Sequence, residues 1–225
     1  MTDIYPIFVH LRDHPVLIVG GGSVALRKAR GLLESGVRIT LVAPQISPEL
    51  SRLVPPLTLL GQPYASDLML QTPRWRLVFA TTDQPVVNAL VQRDASAQGI
   101  FCCRCDEPNE GDFVGGAMLK RAAVTMAVNT EGASPLLAAR IRDLAATLDP
   151  VLFEWSELLA AWRPEVLSRV LDHQVRRALL CRLAGPEMEQ HLRQHGPAAA
   201  RVLYAQWLNH ALTASSSPTG ARDAS

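Results

Sequence analysis

Apolar residues in the first part of the chain fall into short unbroken runs separated by a stretch with helical spacing. Residues 15–19 form one apolar run, three glycines follow at once, and residues 24–34 carry apolar and small side chains at helical intervals. A second run covers residues 37–42 after Gly36, a residue type that commonly ends helices. Short apolar runs indicate buried parallel strands, so this pattern predicts a β-α-β unit.

The alternation of strand-like and helix-like segments continues as far as residue 105. It predicts strands at 57–60, 77–80 and 100–105, a loop or weak helix at 64–73, and a helix at 85–98. Alternating strands and helices are typical of an open, mostly parallel sheet. The predicted fold class is therefore α/β, with a Rossmann-type doubly wound parallel sheet.

The pattern changes after Phe113. Residues 113–119 and 124–129 predict two strands around a basic turn, Lys120-Arg121. A helix is predicted to follow as far as residue 148, because Ser134 is a good N-cap and Pro135 suits the first helical position. This segment predicts a small α+β part.

The remainder predicts an all-helical carboxy-terminal part. Residues 151–212 show only helical patterning, with breaks expected at Pro164, Gly185-Pro186 and Gly196-Pro197, and the polar tail from residue 215 is expected to be disordered. The predicted domains are 1–112, 113–148 and 149–213, with residues 214–225 as the tail.

Composition excludes several classes of function. The 225 residues include 48% hydrophobic and 19% charged residues, as in soluble globular proteins. The net charge of +1 gives no basic excess for nucleic acid or an anionic membrane surface. Because no apolar run is long enough to span a membrane and no signal-peptide pattern opens the chain, we expect a cytoplasmic protein.

Three of the four cysteines crowd together as Cys102-Cys103-Arg104-Cys105. Cys102 and Cys105 have metal-ligand spacing, but the second pair or Cys/His set of a structural zinc site is lacking. On a strand, Cys103 and Cys105 share one face and Cys102 points to the other. The pattern therefore favours small apolar strand residues over a metal cluster, and it leaves the role of the three thiols open.

The glycine turn predicts a dinucleotide-binding site. Gly20, Gly22 and Ala25 fit the relaxed dinucleotide fingerprint between a strand and a helix, with Gly21 between the two glycines. The alternative is a tight turn without a ligand. No acidic residue follows the second strand, where Ala43-Pro44-Gln45 stands instead, so the spacing does not choose between NAD and NADP.

Several blocks together resemble one family, the precorrin-2 dehydrogenase module of siroheme synthase. These blocks are Tyr5-Pro6-Ile7-Phe8, residues 19–29, Ala80-Thr81-Thr82-Asp83 with Val87-Asn88, and residues 132–138. The resemblance implies NAD-dependent oxidation of precorrin-2 to sirohydrochlorin and, in many members, Fe²⁺ insertion to give siroheme. It also implies a homodimer formed through residues 113–148. Since the chain is too short for a methyltransferase domain, it looks like the stand-alone form.

The resemblance also assigns roles to individual residues. It puts nucleotide contacts at Ser23 and Val24 and, on the ribose side, at Pro44 and Gln45. It makes Asp106 the key carboxylate, a general base that also meets Fe²⁺ transiently. Thr82 is a further candidate for cofactor binding, because it lies at the end of a predicted strand on the side of the sheet where ligands bind. Candidates for binding the substrate's carboxylates are Thr130, Ser134 and Lys120.

Two other functions stay open at this point. One is a dehydrogenase that has lost iron insertion, because the residues around Asp106 depart from the family pattern: Cys-Arg-Cys precedes it, and Glu131 stands where glycine is common. The other is a non-catalytic NAD-sensing or scaffold protein. The presence of Asp106 speaks against the second.

Overall fold

A computed structural model gives the structure of residues 4–54, 57–71 and 73–216. The chain divides into two compact units, Met1–Gly115 and Gly116–Ser225. The predicted border after residue 112 falls close to the division between them. The further partition of the second unit into a dimerisation part and a helical part stays a prediction.

The first unit is a five-stranded parallel sheet with helices between its strands. The strands are β1 (Pro15–Val19), β2 (Arg38–Val42), β3 (Thr58–Leu60), β4 (Leu77–Ala80) and β5 (Phe101–Arg104). The helices are α1 (Ser23–Leu33), α2 (Pro48–Ser51) and α3 (Pro85–Ala97), with 3₁₀ turns at Ser66–Leu70 and Pro108–Glu110. One residue of the predicted loop 64–73, residue 72, lies outside the described residues.

The strand order β3-β2-β1-β4-β5 confirms the Rossmann-type topology. Val19 at the end of β1 pairs with Val42 of β2 on one side and with Ala80 of β4 on the other. The strand order reverses at β1, and ligands of such sheets bind in the crevice outside the carboxyl ends there. The glycine turn begins at that crevice.

Both faces of the sheet are buried, as the unbroken apolar runs predict. Val16 and Ile18 pack into one hydrophobic cluster, and Leu17 packs into the cluster on the opposite face. Cys103 belongs to the first cluster and Cys102 to the second, which confirms that neighbouring cysteines point to opposite faces.

The second unit begins with a hairpin and a helix. Its first elements are β6 (Ala117–Arg121), β7 (Val124–Val128) and α4 (Pro135–Ala145). The prediction of a turn at Lys120-Arg121 is wrong, because these residues lie in β6 and pair with Thr125 and Val124. The turn falls at Ala122, which takes the left-handed φ of 55° that a tight hairpin turn requires.

Three longer helices complete the unit: α5 (Pro150–Arg169), α6 (His173–Leu183) and α7 (Pro186–Ser216). The predicted break at Pro164 is wrong, since α5 continues through it. Trp162 and Val166 on either side of this proline are buried, and their packing outweighs the roughly 3 kcal/mol cost of an interior proline.

The helices break instead before α6, where the sequence offers a capping residue that the prediction did not use. The Asp172 carboxylate accepts hydrogen bonds from the N–H groups of Gln174 and Val175, at 2.8 and 2.9 Å, and so caps this helix. The predicted break at Gly196 is confirmed, with a φ of 76° inside α7. The predicted tail is helical at residues 214–216, and residues 217–225 lie outside the described residues.

Candidate dinucleotide-binding site

Gly20 lets β1 and β4 approach each other closely where they end. Its φ is 131°, and a Cβ atom there would lie 2.5 Å from Thr81 Oγ1. Thr81 is itself fixed, because its hydroxyl donates to the carbonyl of Val19 at 2.8 Å. A side chain at position 20 would therefore have to displace the end of β4.

The two glycines that follow have different surroundings. A Cβ atom on Gly21 would overlap the carbonyl oxygen of Gln45, and the N–H of Ser47 donates to the carbonyl of Gly21 at 3.0 Å. At Gly22, no heavy atom of the described residues other than its two chain neighbours lies within 4 Å of the Cβ position. Protein packing thus requires the first two glycines, whereas the third leaves its backbone open to a ligand.

Helix α1 starts at this open backbone and presents free N–H groups. Gly22 is its N-cap, and within the described residues no side chain caps the helix and no acidic residue lies in its first turn. The first-turn N–H groups, at Ser23 and Val24 among others, therefore remain for an anion. Open space beside an uncapped helix N-terminus fits the pyrophosphate of a dinucleotide.

Pro44 and Gln45 lie exposed at the carboxyl end of β2, beside the glycine turn. The start of their loop is tied to the end of β3, because the N–H of Ala43 donates to the carbonyl of Leu60 at 3.1 Å. Ser47 in the same loop has a buried hydroxyl oxygen without a hydrogen-bond partner among the described residues. The contact of Pro44 and Gln45 with the ribose stays a prediction.

A buried asparagine joins the ends of β4 and β5. Asn88 of α3 accepts hydrogen bonds at Oδ1 from the Thr82 N–H at 3.1 Å and the Thr82 hydroxyl at 2.7 Å. Its Nδ2 donates to the Thr82 carbonyl at 3.0 Å, and its amide also helps to lower the pKa of Asp106. Thr82 thus lies where the sequence predicts, at the strand end, with its hydroxyl engaged by Asn88.

Asp106 follows β5 and forms a two-pronged ion pair with the buried Arg104. Arg104 Nε donates to Oδ1 at 3.2 Å and Nη2 to Oδ2 at 2.6 Å, and Nη2 also lies 3.1 Å from an oxygen of Glu107. Burial raises the pKa of Asp106, but hydrogen bonds from Arg104 and Asn88 outweigh it and hold that pKa below its ordinary value. Asp106 is therefore ionised at neutral pH.

Asn88 and Arg104 have no predicted role, although the sequence marks both. Asn88 is a polar residue three positions into a helix otherwise rich in valine and alanine. Arg104 stands two residues before Asp106, a spacing that places both side chains on the same face of an extended segment. A buried arginine next to a candidate carboxylate predicts an ion pair.

The remaining candidate residues belong to the second unit. The Thr130 hydroxyl donates to the Ser134 carbonyl at 3.0 Å and accepts from the Ser134 N–H at 3.1 Å. Ser134 Oγ accepts from the Leu137 N–H at 3.1 Å, which confirms Ser134 as the N-cap of α4. Lys120 is exposed on β6. Their contacts with substrate stay predictions.

Metal-ligating side chains do not cluster in the part of the chain that the structure describes. No group of three or more His, Cys, Asp and Glu side chains among those residues is arranged to hold a metal ion. Cys102 and Cys105 pack against the hydrophobic clusters on opposite faces of the sheet.

Known proteins match this chain in both sequence and fold. A family model of NAD(P)-binding domains matches residues 7–117. Siroheme synthase 3 of Aeromonas hydrophila is 36% identical over 205 residues, which cover 89% of this chain and 43% of that protein. Siroheme synthase 2 of Serratia proteamaculans is 32% identical over 212 residues, which cover 92% of this chain and 45% of that protein. The chain belongs to the siroheme synthase family.

The solved structure of SirC, precorrin-2 dehydrogenase, has the same fold. Its TM-score is 0.73 at 23% identity, and the match covers 92% of this chain and all of SirC. The chain spans less than half the length of the curated siroheme synthases that it matches. The family match over residues 7–117 supports a nicotinamide cofactor. Among the described residues, no helix is long and apolar enough to cross a membrane.

Proposed function

We propose that this protein binds NAD⁺ at the glycine turn and oxidises precorrin-2 to sirohydrochlorin. The observation that carries the proposal is the open backbone at Gly22, which lies at the uncapped end of α1 in the crevice where the strand order reverses. The choice of precorrin-2 as the substrate rests on the match to siroheme synthases and on the fold shared with SirC, precorrin-2 dehydrogenase.

The chain's own groups would bind the cofactor and accept protons. Ser23 and Val24 would bind the pyrophosphate through their N–H groups, and Pro44 and Gln45 would contact the ribose. When bound, NAD⁺ supplies the hydride acceptor. Asp106, ionised and held by Arg104 and Asn88, would accept a proton released from the macrocycle.

Iron insertion is a further step of the same proposal. Fe²⁺ would be a second substrate, and its entry requires removal of pyrrole protons, which the same carboxylate would accept. Asp106 also offers a negative charge to the ion in transit. Thr130, Ser134 and Lys120 would bind the carboxylates of the tetrapyrrole.

We also propose that two copies of the chain associate through residues 113–148. Support comes from α4, where Leu137, Ile141 and Leu144 are exposed at helical spacing, beside Leu136 with 80% exposure. Light scattering on the purified protein tests this, because a monomer mass at micromolar concentration would contradict it.

We place this chemistry in the cytoplasm. All four cysteines are free in the described part of the chain, which suits a reducing compartment.

A second candidate function is dinucleotide binding without turnover. The Arg104–Asp106 pair favours it, because a carboxylate with a lowered pKa that is already bound to a guanidinium is a weak base. In that case the protein would sense NAD or act as a scaffold.

One assay distinguishes these functions. The purified protein receives precorrin-2 and NAD⁺ under anaerobic conditions, NADH and sirohydrochlorin are followed by absorbance, and Fe²⁺ is added afterwards. NADH with siroheme supports both steps, whereas NADH without siroheme selects the dehydrogenase that has lost iron insertion. Bound NAD⁺ without NADH formation selects the non-catalytic protein.

Asp106→Asn tests the proton acceptor more cleanly than truncation. Asp106→Ala would leave Arg104 buried beside Glu107 alone, and removing one partner of a buried ion pair costs several kcal/mol. We expect Asp106→Asn to lose dehydrogenation and keep NAD⁺ affinity. Glu107→Gln, the neighbouring partner of the same arginine, is the matched control and should turn over normally. Normal turnover by Asp106→Asn would show that another group accepts the proton.

A further inference from the structure

Lys28 carries a positive charge that no described side chain neutralises. It lies half-buried on α1, and among the described residues it forms no ion pair and no hydrogen bond. Arg104, a buried cation of the same unit, is by contrast paired with Asp106 and Glu107. Because a partly desolvated charge without a counter-charge costs free energy, an anionic partner is expected at Lys28.

The Lys28 ammonium has a defined place above an aromatic ring. Nζ lies over the ring of Phe79, 5.7 Å from its centroid, an arrangement in which the negative face of the ring attracts the cation. Phe113 packs against Phe79 in a T-shaped arrangement, with the centroids 5.3 Å apart, and so holds this ring. A Cβ atom on Gly115 would lie 2.6 Å from Nζ, so the glycine at this position leaves the space that the ammonium occupies. Packing, and not an ion pair, therefore positions the charge.

This charge lies on the half of the crevice that contains Asp106. Phe79 is the last residue but one of β4 and pairs with Cys103 of β5, and Asp106 follows three residues after Cys103. In the strand order, β4 and β5 lie on one side of β1, whereas β2, whose end we assign to the ribose, lies on the other. Lys28 is thus near the carboxyl ends of the strands that carry the proposed proton acceptor.

We propose that Lys28 binds a carboxylate of the tetrapyrrole substrate and so helps to orient the macrocycle next to Asp106. The proposal rests on the proposed function, which supplies a substrate that carries carboxylates. A lysine ammonium suits such a group, because it offers three donors at the end of a flexible stem. The pyrophosphate is a separate anion, since its N–H donors begin at Ser23, five residues before Lys28 and about 7.5 Å away along the axis of α1.

Removal of the charge tests the proposal through the KM for precorrin-2. Lys28→Met keeps an unbranched apolar stem beside Phe79 but loses one charge-assisted contact. We therefore expect a KM about 10- to 100-fold higher, with little change in kcat and in the NAD⁺ affinity. Lys28→Arg keeps the charge and should recover most of the affinity. Arg30→Met, at an exposed residue of the same helix, is the matched control and should have the wild-type KM. An unchanged KM in Lys28→Met would overturn the proposal.

Amine labelling of the wild-type protein gives an independent test. Lys28 and Lys120 are the only lysines among the 22 lysines and arginines, so their labelling can be resolved by mass spectrometry after digestion. The full-length protein is treated briefly with acetic anhydride, alone, with NAD⁺ or with sirohydrochlorin, and the amino-terminal amine is the internal reference. We expect sirohydrochlorin, but not NAD⁺, to protect Lys28. The proposal would be overturned if sirohydrochlorin did not protect Lys28, if Lys28 did not react in the free protein, or if NAD⁺ alone protected it.

The failure of this proposal can be told apart from the failure of the proposed function. If the wild type forms NADH from precorrin-2 while Lys28→Met keeps its KM, only the role of Lys28 is wrong. If the wild type neither oxidises precorrin-2 nor binds sirohydrochlorin in an absorbance titration, the proposed function is wrong and the role of Lys28 falls with it. If it binds sirohydrochlorin without oxidising precorrin-2, the Kd of sirohydrochlorin replaces the KM in the same comparison of variants. The labelling of the wild type decides the role of Lys28 even if Lys28→Met fails to fold.

Discussion

Replacing Gly22 by serine should make the protein more stable and a poorer dinucleotide binder at the same time. Gly22 is the N-cap of α1, with φ −97° and ψ −162°, an extended conformation that serine adopts without strain. Apart from its two chain neighbours, no described heavy atom lies within 4 Å of its Cβ position, so the free protein has no steric cost. The new hydroxyl would accept a hydrogen bond from a first-turn N–H, which is the group that we assign to the phosphate.

The two effects have opposite signs and measurable sizes. Serine is a better N-cap than glycine by a few tenths of a kcal/mol, and loss of chain freedom in the unfolded state adds about 0.4–1 kcal/mol. We therefore expect Gly22→Ser to raise Tm without ligand by a few degrees. Losing one charge-assisted hydrogen bond of about 1.5–3 kcal/mol should weaken dinucleotide binding by roughly 10- to 100-fold.

Differential scanning fluorimetry and calorimetric titration with NAD⁺ measure both quantities on one preparation. Gly61→Ser is the matched control, because its Cβ position is likewise clear of described atoms but lies at the edge strand β3. Unchanged NAD⁺ affinity in Gly22→Ser would refute the view that the pyrophosphate approaches this residue. A lowered Tm would refute the assigned N-cap geometry.

Two further predictions concern Asp106 and Glu131, a residue of the second unit. If Asp106 accepts the proton as we propose, the rate falls when the pH drops through its lowered pKa. Arg104→Met removes the main group that lowers this pKa, so the acid limb of the pH-rate profile should move to higher pH. An unmoved limb would show that Arg104 does not control this carboxylate. Glu131 has a left-handed φ of 52°, so Glu131→Gly should raise the free energy of unfolding by about 0.5–1 kcal/mol in urea denaturation. Ala123→Gly, at a residue without positive φ, is its control and should be destabilising.

The parts of the fold that the sequence predicted are those where local pattern and tertiary packing agree. The buried strand β1 can be predicted from its apolar run alone, and the turn at Gly20 from the conformational freedom of glycine. The structure has both the strand and the turn at the predicted residues. Ser134 caps α4 because its hydroxyl oxygen accepts a hydrogen bond from an N–H group in the first turn of the same helix. Such features depend on a few neighbouring residues and can be read from them.

The missed features depend on residues that are distant in the chain or on packing that overrides local preference. Nothing local marks Ala122 as a turn residue, since its left-handed backbone is imposed by the pairing of β6 with β7. Pro164 stays helical because the core on both sides of it is buried. Asn88 gains its importance only when α3 brings it beside Thr82 and Asp106.

The unequal surroundings of the three glycines imply an evolutionary signature. Gly20 and Gly21 are fixed by β4 and by the carbonyl of Gln45, so any descendant that keeps the fold must keep them, whatever it binds. At Gly22 the described protein atoms leave room for a side chain, so the ligand that we propose would be its main constraint. A lineage that abandoned the dinucleotide should therefore vary at position 22 first, while its neighbours remain glycine.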